Sequence, residues 1–393
     1  MKFAAAALAA TLTLAACGGG DSGSGGGAVS TTPTPTPSPS ATVPAPVATT
    51  AAVTGTTVAT LDNPWAMVFL PDGRLLVTEK PGRLRVISQN GTVGTPVTGV
   101  PAVVNVGQGG LLDVALDPAY ATNRRIYLSF AEAGTGGTSG LAIARATLTV
   151  DNANAGGLGN VTVIWRQIPK VNDSRHYGGR IAFGSDGFIY ATAGERHQGS
   201  PAQDLSGTLG KIIRIDTDGN PAAGNPFAGT AGARAEIWTL GHRNPYGLLF
   251  ANDGRLIENE MGPDAGDEFN IITRGANYGW RVVAEGSDGG EALPRHSTRP
   301  DFAAPGFSWN PNIAPAGMIQ YGGTAFVGWA GDFVLAGLVS QGLVRVRLSG
   351  TTATELSRIA LGARIREVEQ GPDGTIWVLE DGSAARLRRL SPA

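Results

Sequence analysis

One short phrase recurs along the chain and constrains its fold more than any other feature: an apolar run, an Asp-Gly turn and a second apolar run. In the clearest copy, residues 65–70 and 75–79 are the apolar runs, and Asp72 and Gly73 lie between them. Further copies surround the Asp-Gly pairs at 186–187, 253–254 and 373–374, and degenerate copies cover residues 114–129 and 325–336. Asp-Gly between alternating apolar runs is a strong β-hairpin signal. The phrase therefore predicts an all-β chain built from repeated hairpins.

Six copies at intervals of roughly 40 to 80 residues indicate a six-bladed β-propeller with long loops in some blades. The chain has Gly 58 and Pro 25 among 393 residues, which supplies the many turns that such a fold needs. Closing the ring removes exposed sheet edges, and we expect residues 56–61 to complete the last blade. A large β-sandwich, or a pair of them, with turns rich in Asp-Gly is the alternative.

Residues 1–17 have the composition of a lipoprotein signal peptide. Lys2 precedes an apolar run that is too short to span a membrane, and the Leu-Ala-Ala-Cys sequence at 14–17 looks like a bacterial lipobox. Cys17 would then be the lipidation site, because its thiol accepts the lipid. An ordinary secretory signal is the alternative. We therefore expect a protein of the bacterial cell envelope, anchored by its lipid alone, and the glycines after Cys17 favour the outer membrane facing the periplasm.

Composition also divides the rest of the chain. Residues 18–52 are rich in Gly, Ser, Thr and Pro and have too little apolar surface to fold, which predicts a disordered tether. The propeller domain is then expected at residues 53–393. Lys and Arg number 30 against 32 Asp and Glu, so the charge balance gives no support for nucleic-acid binding. A single cysteine excludes an internal disulfide and a cysteine-cluster metal site.

Polar clusters interrupt the strand pattern, and one of them contains histidine and glutamate. His176 precedes and Glu195 follows the strands of the third repeat, in a chain with only four histidines. The two side chains can meet only if their loops lie at the same face of the propeller. Gln108 belongs to a glycine-rich segment, residues 107–113, at the entry to another strand. A catalytic histidine is one interpretation; a structural histidine, and a simple tight turn at 107–113, are the others.

Arginines and carboxylates form three further clusters. Arg243 and Asn244 can present guanidinium and amide donors to an anionic or carbonyl-rich ligand; a loop-stabilising arginine is the alternative. The segment 259–270 contains four carboxylates interleaved with glycine, which suits a hard cation such as Ca²⁺, although the spacing is not that of an EF-hand. Arg364 and Arg366 alternate along a strand, so both point to one side and repel each other unless an anion lies between them. An edge-strand pair that aids solubility is the alternative there.

These clusters, in this order, resemble the soluble quinoprotein glucose dehydrogenase family, in particular its aldose sugar dehydrogenase branch. The specific motifs are Gly-Gly-Leu-Leu-Asp at 109–113, Gly-His-Arg-Asn-Pro at 241–245, Gly-Pro with Asp-Glu within 262–268, Asn-Tyr-Gly-Trp at 277–280 and Arg-Ile-Arg at 364–366. The similarity spans residues 61–390. Members of the family are six-bladed propellers that carry pyrroloquinoline quinone (PQQ) and calcium. The resemblance implies a PQQ- and Ca²⁺-dependent dehydrogenase that oxidises aldose sugars at C1 to lactones and passes electrons to an external acceptor.

The resemblance also implies roles for single residues. His176 matches the general base that takes the proton of the C1 hydroxyl while hydride passes to the quinone, and Glu195 matches an acidic residue that assists it. Arg243, with Asn244 beside it, matches the arginine that binds the quinone oxygens and stabilises the reduced anion. The remaining matches are Gln108 on the cofactor, Arg364 and Arg366 on its carboxylates, the backbone carbonyls of Gly262 and Pro263 on the calcium that polarises the quinone, and Glu268, Tyr278 and Asp288, with Asp267 nearby, at a second, structural calcium.

One departure from the family pattern leaves other functions open. Relatives place a lysine on the cofactor in the stretch that matches residues 336–341, and this chain has none there. A cofactor-free, calcium-stabilised propeller that binds carbohydrate or envelope components is therefore the second hypothesis. A metal-dependent lactonase is the third, although the carboxylates cluster in one loop instead of coming from several blades.

Overall fold

The structure, a computed structural model, describes residues 53–393, which form six β-sheets and one small hairpin. The predicted signal peptide, the lipidation site Cys17 and the tether lie outside these residues and stay predictions. Among the residues described, no helix is both long enough and apolar enough to cross a membrane.

Each of the six sheets is one blade, and its strands are antiparallel neighbours. Blades 1 and 2 contain β2 (Pro64–Phe69), β3 (Leu75–Glu79) and β4 (Arg83–Ile87), then β5 (Leu111–Leu116), β6 (Arg125–Ala133), β7 (Ser139–Val150) and β8 (Gly156–Arg166). Blades 3 and 4 contain β9 (Gly178–Phe183), β10 (Ile189–Ala193), β11 (Lys211–Ile215) and β12 (Ile237–Leu240), then β13 (Pro245–Phe250), β14 (Leu256–Glu260), β15 (Asp267–Ile272) and β18 (Phe307–Trp309). Blades 5 and 6 contain β19 (Pro315–Gln320), β20 (Phe333–Gly337), β21 (Gly342–Ser349) and β22 (Thr352–Ala360), then β23 (Ile365–Gln370), β24 (Ile376–Glu380), β25 (Ala385–Pro392) and β1 (Val53–Leu61).

The connections contain little further regular structure. They hold the hairpin of β16 (Ser287–Asp288) and β17 (Glu291–Ala292), the helix α1 (Tyr120–Asn123), and the 3₁₀ turns Thr135–Gly137, Ser200–Gln203 and His296–Thr298. The structure confirms the predicted six-bladed propeller.

The Asp-Gly turns explain why the repeated phrase folds as a hairpin. In blade 1, the Asp72 carboxylate accepts the Arg74 backbone N–H at 3.0 Å, and Gly73 has a φ of 84°. Such a φ is costly for a residue with a Cβ atom but not for glycine. The turns at 186–187, 253–254 and 373–374 repeat this arrangement, with glycine φ angles of 80°, 86° and 80°. The phrase thus fixes the register between the first two strands of four blades.

The ring closes through the N-terminal strand, as the sequence predicts. β1 is the outermost strand of blade 6 and pairs with β25, from Val53 opposite Pro392 to Leu61 opposite Ala385. The innermost strands β2, β5, β9, β13, β19 and β23 contact one another in ring order. The second strands β3, β10, β14, β20 and β24 are buried at every residue, so the apolar core lies within and between the blades.

A channel of about 540 Å³ along the propeller axis is lined by all six innermost strands. Arg180 on β9 is buried in it and forms ion pairs with Glu367 and with Asp113, the latter at 3.4 Å. Its Nε donates to the Tyr246 carbonyl at 2.6 Å. Arg180 of blade 3 therefore joins blades 2, 4 and 6 around the axis, and Asp113, which belongs to the glycine-rich segment 107–113, is its partner in blade 2.

The sequence prediction for blade 5 is wrong at its first strand. Residues 325–327 are a loop, and the innermost strand is β19. The apolar signal of this segment comes from Phe326, which packs against Tyr321 and Trp329 with ring centroids 5.7 and 4.8 Å away, while Val327 is exposed. An aromatic cluster inside a long loop therefore mimics a strand in the sequence.

Candidate active site

Antiparallel hairpins bring the predicted site residues to one mouth of the propeller. The start of each innermost strand lies beside the end of the second strand, as in the pairs Pro245–Glu260 and Ile365–Glu380. Loops that precede innermost strands and loops that follow second strands therefore meet at the same end of the ring. The loops that carry His176 and Glu195 therefore lie at the same face of the propeller, which the sequence alone leaves open.

His176 and Glu195 form a buried pair at this mouth. His176 Nδ1 lies 2.5 Å from Glu195 Oε1, and the two residues are 5% and 1% exposed. Burial lowers the pKa of His176; the hydrogen bond from Glu195 opposes this, and the charge of Arg243 adds to it. The imidazole is therefore held neutral near pH 7, which is the state that a general base requires.

The backbone of His176 is held in an uncommon conformation that fixes the ring. Its φ is 50°, in the left-handed region. Its N–H donates to Gln108 Oε1 at 2.6 Å, and its carbonyl accepts from the Arg196 N–H at 3.1 Å. The Tyr246 hydroxyl donates to the same Gln108 oxygen at 3.1 Å. Gln108 therefore lies at the mouth and also positions His176.

Arg243 and Asn244 are held by a buried carboxylate. Their backbone N–H groups donate to Glu260 Oε2 at 2.5 and 3.2 Å. The Arg243 Nη1 donates to the Met261 carbonyl at 3.1 Å, whereas its buried Nε has no partner among residues 53–393. Burial lowers the pKa of Arg243, but a guanidinium stays charged. Because the Arg243 carbonyl accepts from the Glu195 N–H at 2.9 Å, this fixed cation lies close to the histidine pair.

A cavity of about 320 Å³ at the mouth contains a second group of cations. Arg364 and Arg366 both bind Asp381, at 2.9 and 2.8 Å, so the anion that the sequence requires between them is a residue of the chain. Lys80 lines the same cavity, and its Nζ donates to the Gly107 carbonyl at 2.7 Å. Burial and the charge of Arg366 lower the pKa of Lys80.

Sequence reasoning missed Lys80, Asp381 and the role of Tyr246. The signal was available for the first two, because each directly follows the second strand of its blade, β3 or β24. Placing the repeats in register would have put both residues at the mouth. Tyr246 follows the Asn-Pro pair within the motif itself, but its contact to Gln108 depends on how two blades meet.

The residues predicted to bind calcium divide into two groups. Gly262, Pro263, Glu268 and Tyr278 line one small cavity of about 10 Å³ beside Arg243. Burial and the charge of Glu260 raise the pKa of Glu268 to about 8. The Tyr278 carbonyl accepts from His296 Nε2 at 3.1 Å.

Asp267 and Asp288 do not point into that small cavity. Asp267 accepts the backbone N–H groups of Gly262, Ile313 and Ala314 at 2.9, 2.8 and 2.6 Å, and therefore ties two loops together. Burial raises its pKa to about 6. Asp288 forms an ion pair with Arg281 at 2.5 Å. The structure thus brings Gly262 and Pro263, expected at one calcium, and Glu268 and Tyr278, expected at a second, to the same cavity, and leaves Asp267 and Asp288 outside it.

The fold and this residue set define a class: a six-bladed propeller with a histidine–carboxylate pair and several fixed cations at one mouth. Comparison with known proteins narrows the class, because residues 61–389 match the model of the Glucose / Sorbosone dehydrogenase family. The chain belongs to this family of sugar dehydrogenases.

Three relatives illustrate the similarity. The aldose sugar dehydrogenase YliI of Escherichia coli (strain K12) is 38% identical over 344 residues, covering 84% of this chain and 91% of the relative. The apo-form crystal structure of the soluble aldose sugar dehydrogenase from Escherichia coli is 36% identical, with a TM-score of 0.82, over 87% of this chain and 100% of that one. The PQQ-bound aldose sugar dehydrogenase of Streptomyces coelicolor is 32% identical, with a TM-score of 0.71, over 88% and 99%.

Proposed function

We propose that this protein is a PQQ- and Ca²⁺-dependent dehydrogenase that oxidises aldose sugars at C1 to lactones. The observation that carries the proposal is the buried His176–Glu195 pair beside the fixed cation Arg243. A base and a neighbouring positive charge are what a site needs in order to remove a hydroxyl proton while negative charge develops on an acceptor. The relatives named above support the substrate class and the cofactor.

The residues at the mouth fit PQQ, which is a planar tricarboxylate. The cavity of about 320 Å³ contains Lys80, Arg364 and Arg366 but only one carboxylate, Asp381, so an anionic ligand would balance its charge. When bound, PQQ supplies the hydride-accepting chemistry, and the protein supplies binding, orientation and electrostatics.

The small cavity beside Arg243 fits a calcium ion. Gly262 and Pro263 offer backbone carbonyls, and the buried carboxylate of Glu268 lines the same space. These are hard oxygen donors, which Ca²⁺ prefers. Asp267 holds the loop that presents them, through its bonds to Gly262, Ile313 and Ala314.

The roles of the remaining groups follow from their contacts. His176 Nδ1 is occupied by Glu195, so Nε2 is the nitrogen that takes the proton of the C1 hydroxyl. Glu195 fixes the tautomer and stabilises the protonated ring; its other oxygen is anchored by the Gly199 N–H at 2.6 Å. Arg243 holds positive charge next to this proton transfer. An external acceptor takes the electrons, and lipid on Cys17 would hold the enzyme at the outer membrane facing the periplasm.

A second candidate function rests on one sequence observation. Residues 336–341 contain no lysine, and Leu338 lines the cavity from that segment. A propeller without cofactor that binds carbohydrate or envelope components would need no cation there. The two candidates differ in whether the mouth binds PQQ.

One titration separates the candidates. Purified protein is titrated with PQQ in the presence of Ca²⁺, followed by absorbance, and then assayed with a panel of aldoses and a dye acceptor. Saturable binding with sugar-dependent dye reduction supports the dehydrogenase. Absence of binding at micromolar PQQ would refute it and direct attention to carbohydrate binding, with lactonase assays next.

A further inference from the structure

Blade 4 contains a buried patch of acidic side chains that adjoins the proposed calcium site and includes Glu268 from it. Glu258 lies opposite Asn270 and Glu260 opposite Glu268 in the pairing of β14 with β15. Because side chains alternate along a strand, these four residues share one face of the blade. All four are buried, with exposures of 0%, 0%, 4% and 7% in that order. Three carboxylates therefore meet inside the protein.

The contacts of the patch leave two of its oxygens without a partner. The Asn270 amide donates to Glu258 Oε2 and Glu268 Oε2 at 3.0 and 3.1 Å. Glu258 Oε1 and Asn270 Oδ1 are buried without a hydrogen-bond partner, and within residues 53–393 no lysine or arginine side chain pairs with these carboxylates. Partnerless buried oxygens are rare in folded proteins.

His242 completes the patch. One ring nitrogen of His242 and one oxygen each from Glu258 and Glu260 all lie within 4.8 Å of one another. Ligands bound to one ion at about 2.0 to 2.6 Å are separated by no more than about 5 Å, so a single ion can reach all three. The His242 Nε2 lies 2.9 Å from Thr239 Oγ1, and the ring stacks on Tyr278 with centroids 4.7 Å apart. An outer contact of this kind typically orients a metal-binding histidine.

We propose that His242, Glu258 and Glu260 bind a divalent metal ion. One imidazole and two carboxylates suit an ion that accepts both nitrogen and oxygen ligands, such as Mn²⁺. This site shares no ligand with the calcium site proposed at Gly262 and Pro263.

The metal would also organise the proposed active site. Glu260 uses Oε2 to accept the backbone N–H groups of Arg243 and Asn244, while Oε1 faces His242 at 3.3 Å. Fixing Glu260 from the metal side therefore fixes the turn that carries Arg243. Metal removal should then loosen this turn.

Mn²⁺ binding to the purified full chain, stripped with EDTA and free of PQQ and affinity tags, tests the proposal. We expect the wild type to bind Mn²⁺ with an increase in Tm, and Glu258→Gln to weaken binding at least about tenfold. Glu355→Gln is the matched control, because Glu355 is buried but paired with Arg358; it should bind Mn²⁺ as the wild type does. Equal binding by wild type and Glu258→Gln, or no binding by the wild type, would overturn the site.

Pulsed EPR of the Mn²⁺-loaded wild type covers the case in which Glu258→Gln does not fold. We expect a nitrogen coupling from the His242 ring that is lost in His242→Gln. A spectrum without nitrogen coupling, or one unchanged by His242→Gln, would also overturn the proposal.

Discussion

Replacement of Arg180 by methionine would test whether the ion pairs in the axial channel hold the ring together. Met has a similar length but no charge, so Arg180→Met leaves Glu367 and Asp113 buried without their cation. Removing one partner from a buried ion pair typically costs about 3 to 5 kcal/mol. The entropy of unfolding for a domain of about 340 residues is roughly 0.7 kcal/mol/K, so Tm should fall by about 4 to 7 °C.

The pH dependence makes this prediction specific. Burial raises the pKa of Glu367 to about 7 and, together with the charge of Glu367, that of Glu369 to about 8. A carboxyl whose pKa is raised in the folded state contributes stability that is present below its unfolded pKa and lost as pH rises through the folded pKa. At pH 5 Glu367 and Glu369 are protonated and need no cation, and burial raises the pKa of Asp113 in the same direction. The loss in Tm should therefore be small at pH 5 and large at pH 8.5.

Thermal unfolding followed by circular dichroism at both pH values is the assay. Arg299→Met is the control, because Arg299 pairs with Asp301 at the surface, and its Tm should equal that of the wild type at both. The reasoning fails if Arg180→Met unfolds at the wild-type temperature at pH 8.5, or if its loss in Tm is the same at pH 5.

Three predictions concern the mouth. His176→Ala should lower kcat by at least about 100-fold and leave PQQ affinity unchanged in an absorbance titration; equal loss of both would make the histidine a cofactor ligand. Glu195→Gln removes a charged hydrogen bond worth about 1.5 to 3 kcal/mol and should cut kcat/KM about 10- to 100-fold. Because Glu195 raises the pKa of His176, the acid limb of the pH–rate profile should move to lower pH; an unmoved limb contradicts the pairing. Lys80→Gln should weaken PQQ binding about tenfold in a direct titration, and unchanged affinity would exclude this contact.

Much of the fold could be predicted from the sequence because the Asp-Gly turn is a local signal. Asp72 and Gly73 set their hairpin through contacts within four residues, and the other three turns do the same. β19 was missed because its residues, which include Gly317, carry a weak apolar pattern, whereas the loop residue Phe326 carries a strong one. In that loop Phe326 and Trp329 both pack against Tyr321. The pattern of apolar residues in the sequence does not distinguish such packing within a loop from packing of a strand.

The positions of site residues could be predicted where the register of the repeats determines them. They could not be predicted where the conformation of a loop determines them. His176 and Glu195 meet because β9 and β10 are antiparallel neighbours. The pairing of Asp288 with Arg281 depends on an irregular loop, so the sequence could not show that Asp288 lies away from Gly262. The buried Glu258 was overlooked because a glutamate in the middle of a strand resembles an ordinary solvent-facing residue in the sequence.

The closure of the ring by β1 also sets an order of events during biosynthesis. β1 leaves the ribosome first among the described strands, yet its partner β25 is the last of them. Contacts between such distant segments form slowly, since the intervening chain must be ordered first. Blades 1 to 5 can form in turn as the chain grows, whereas blade 6 cannot be completed until β25 has been synthesised. Until then the nascent propeller has an open sheet edge, and a chain that lacks β25 would keep that edge permanently.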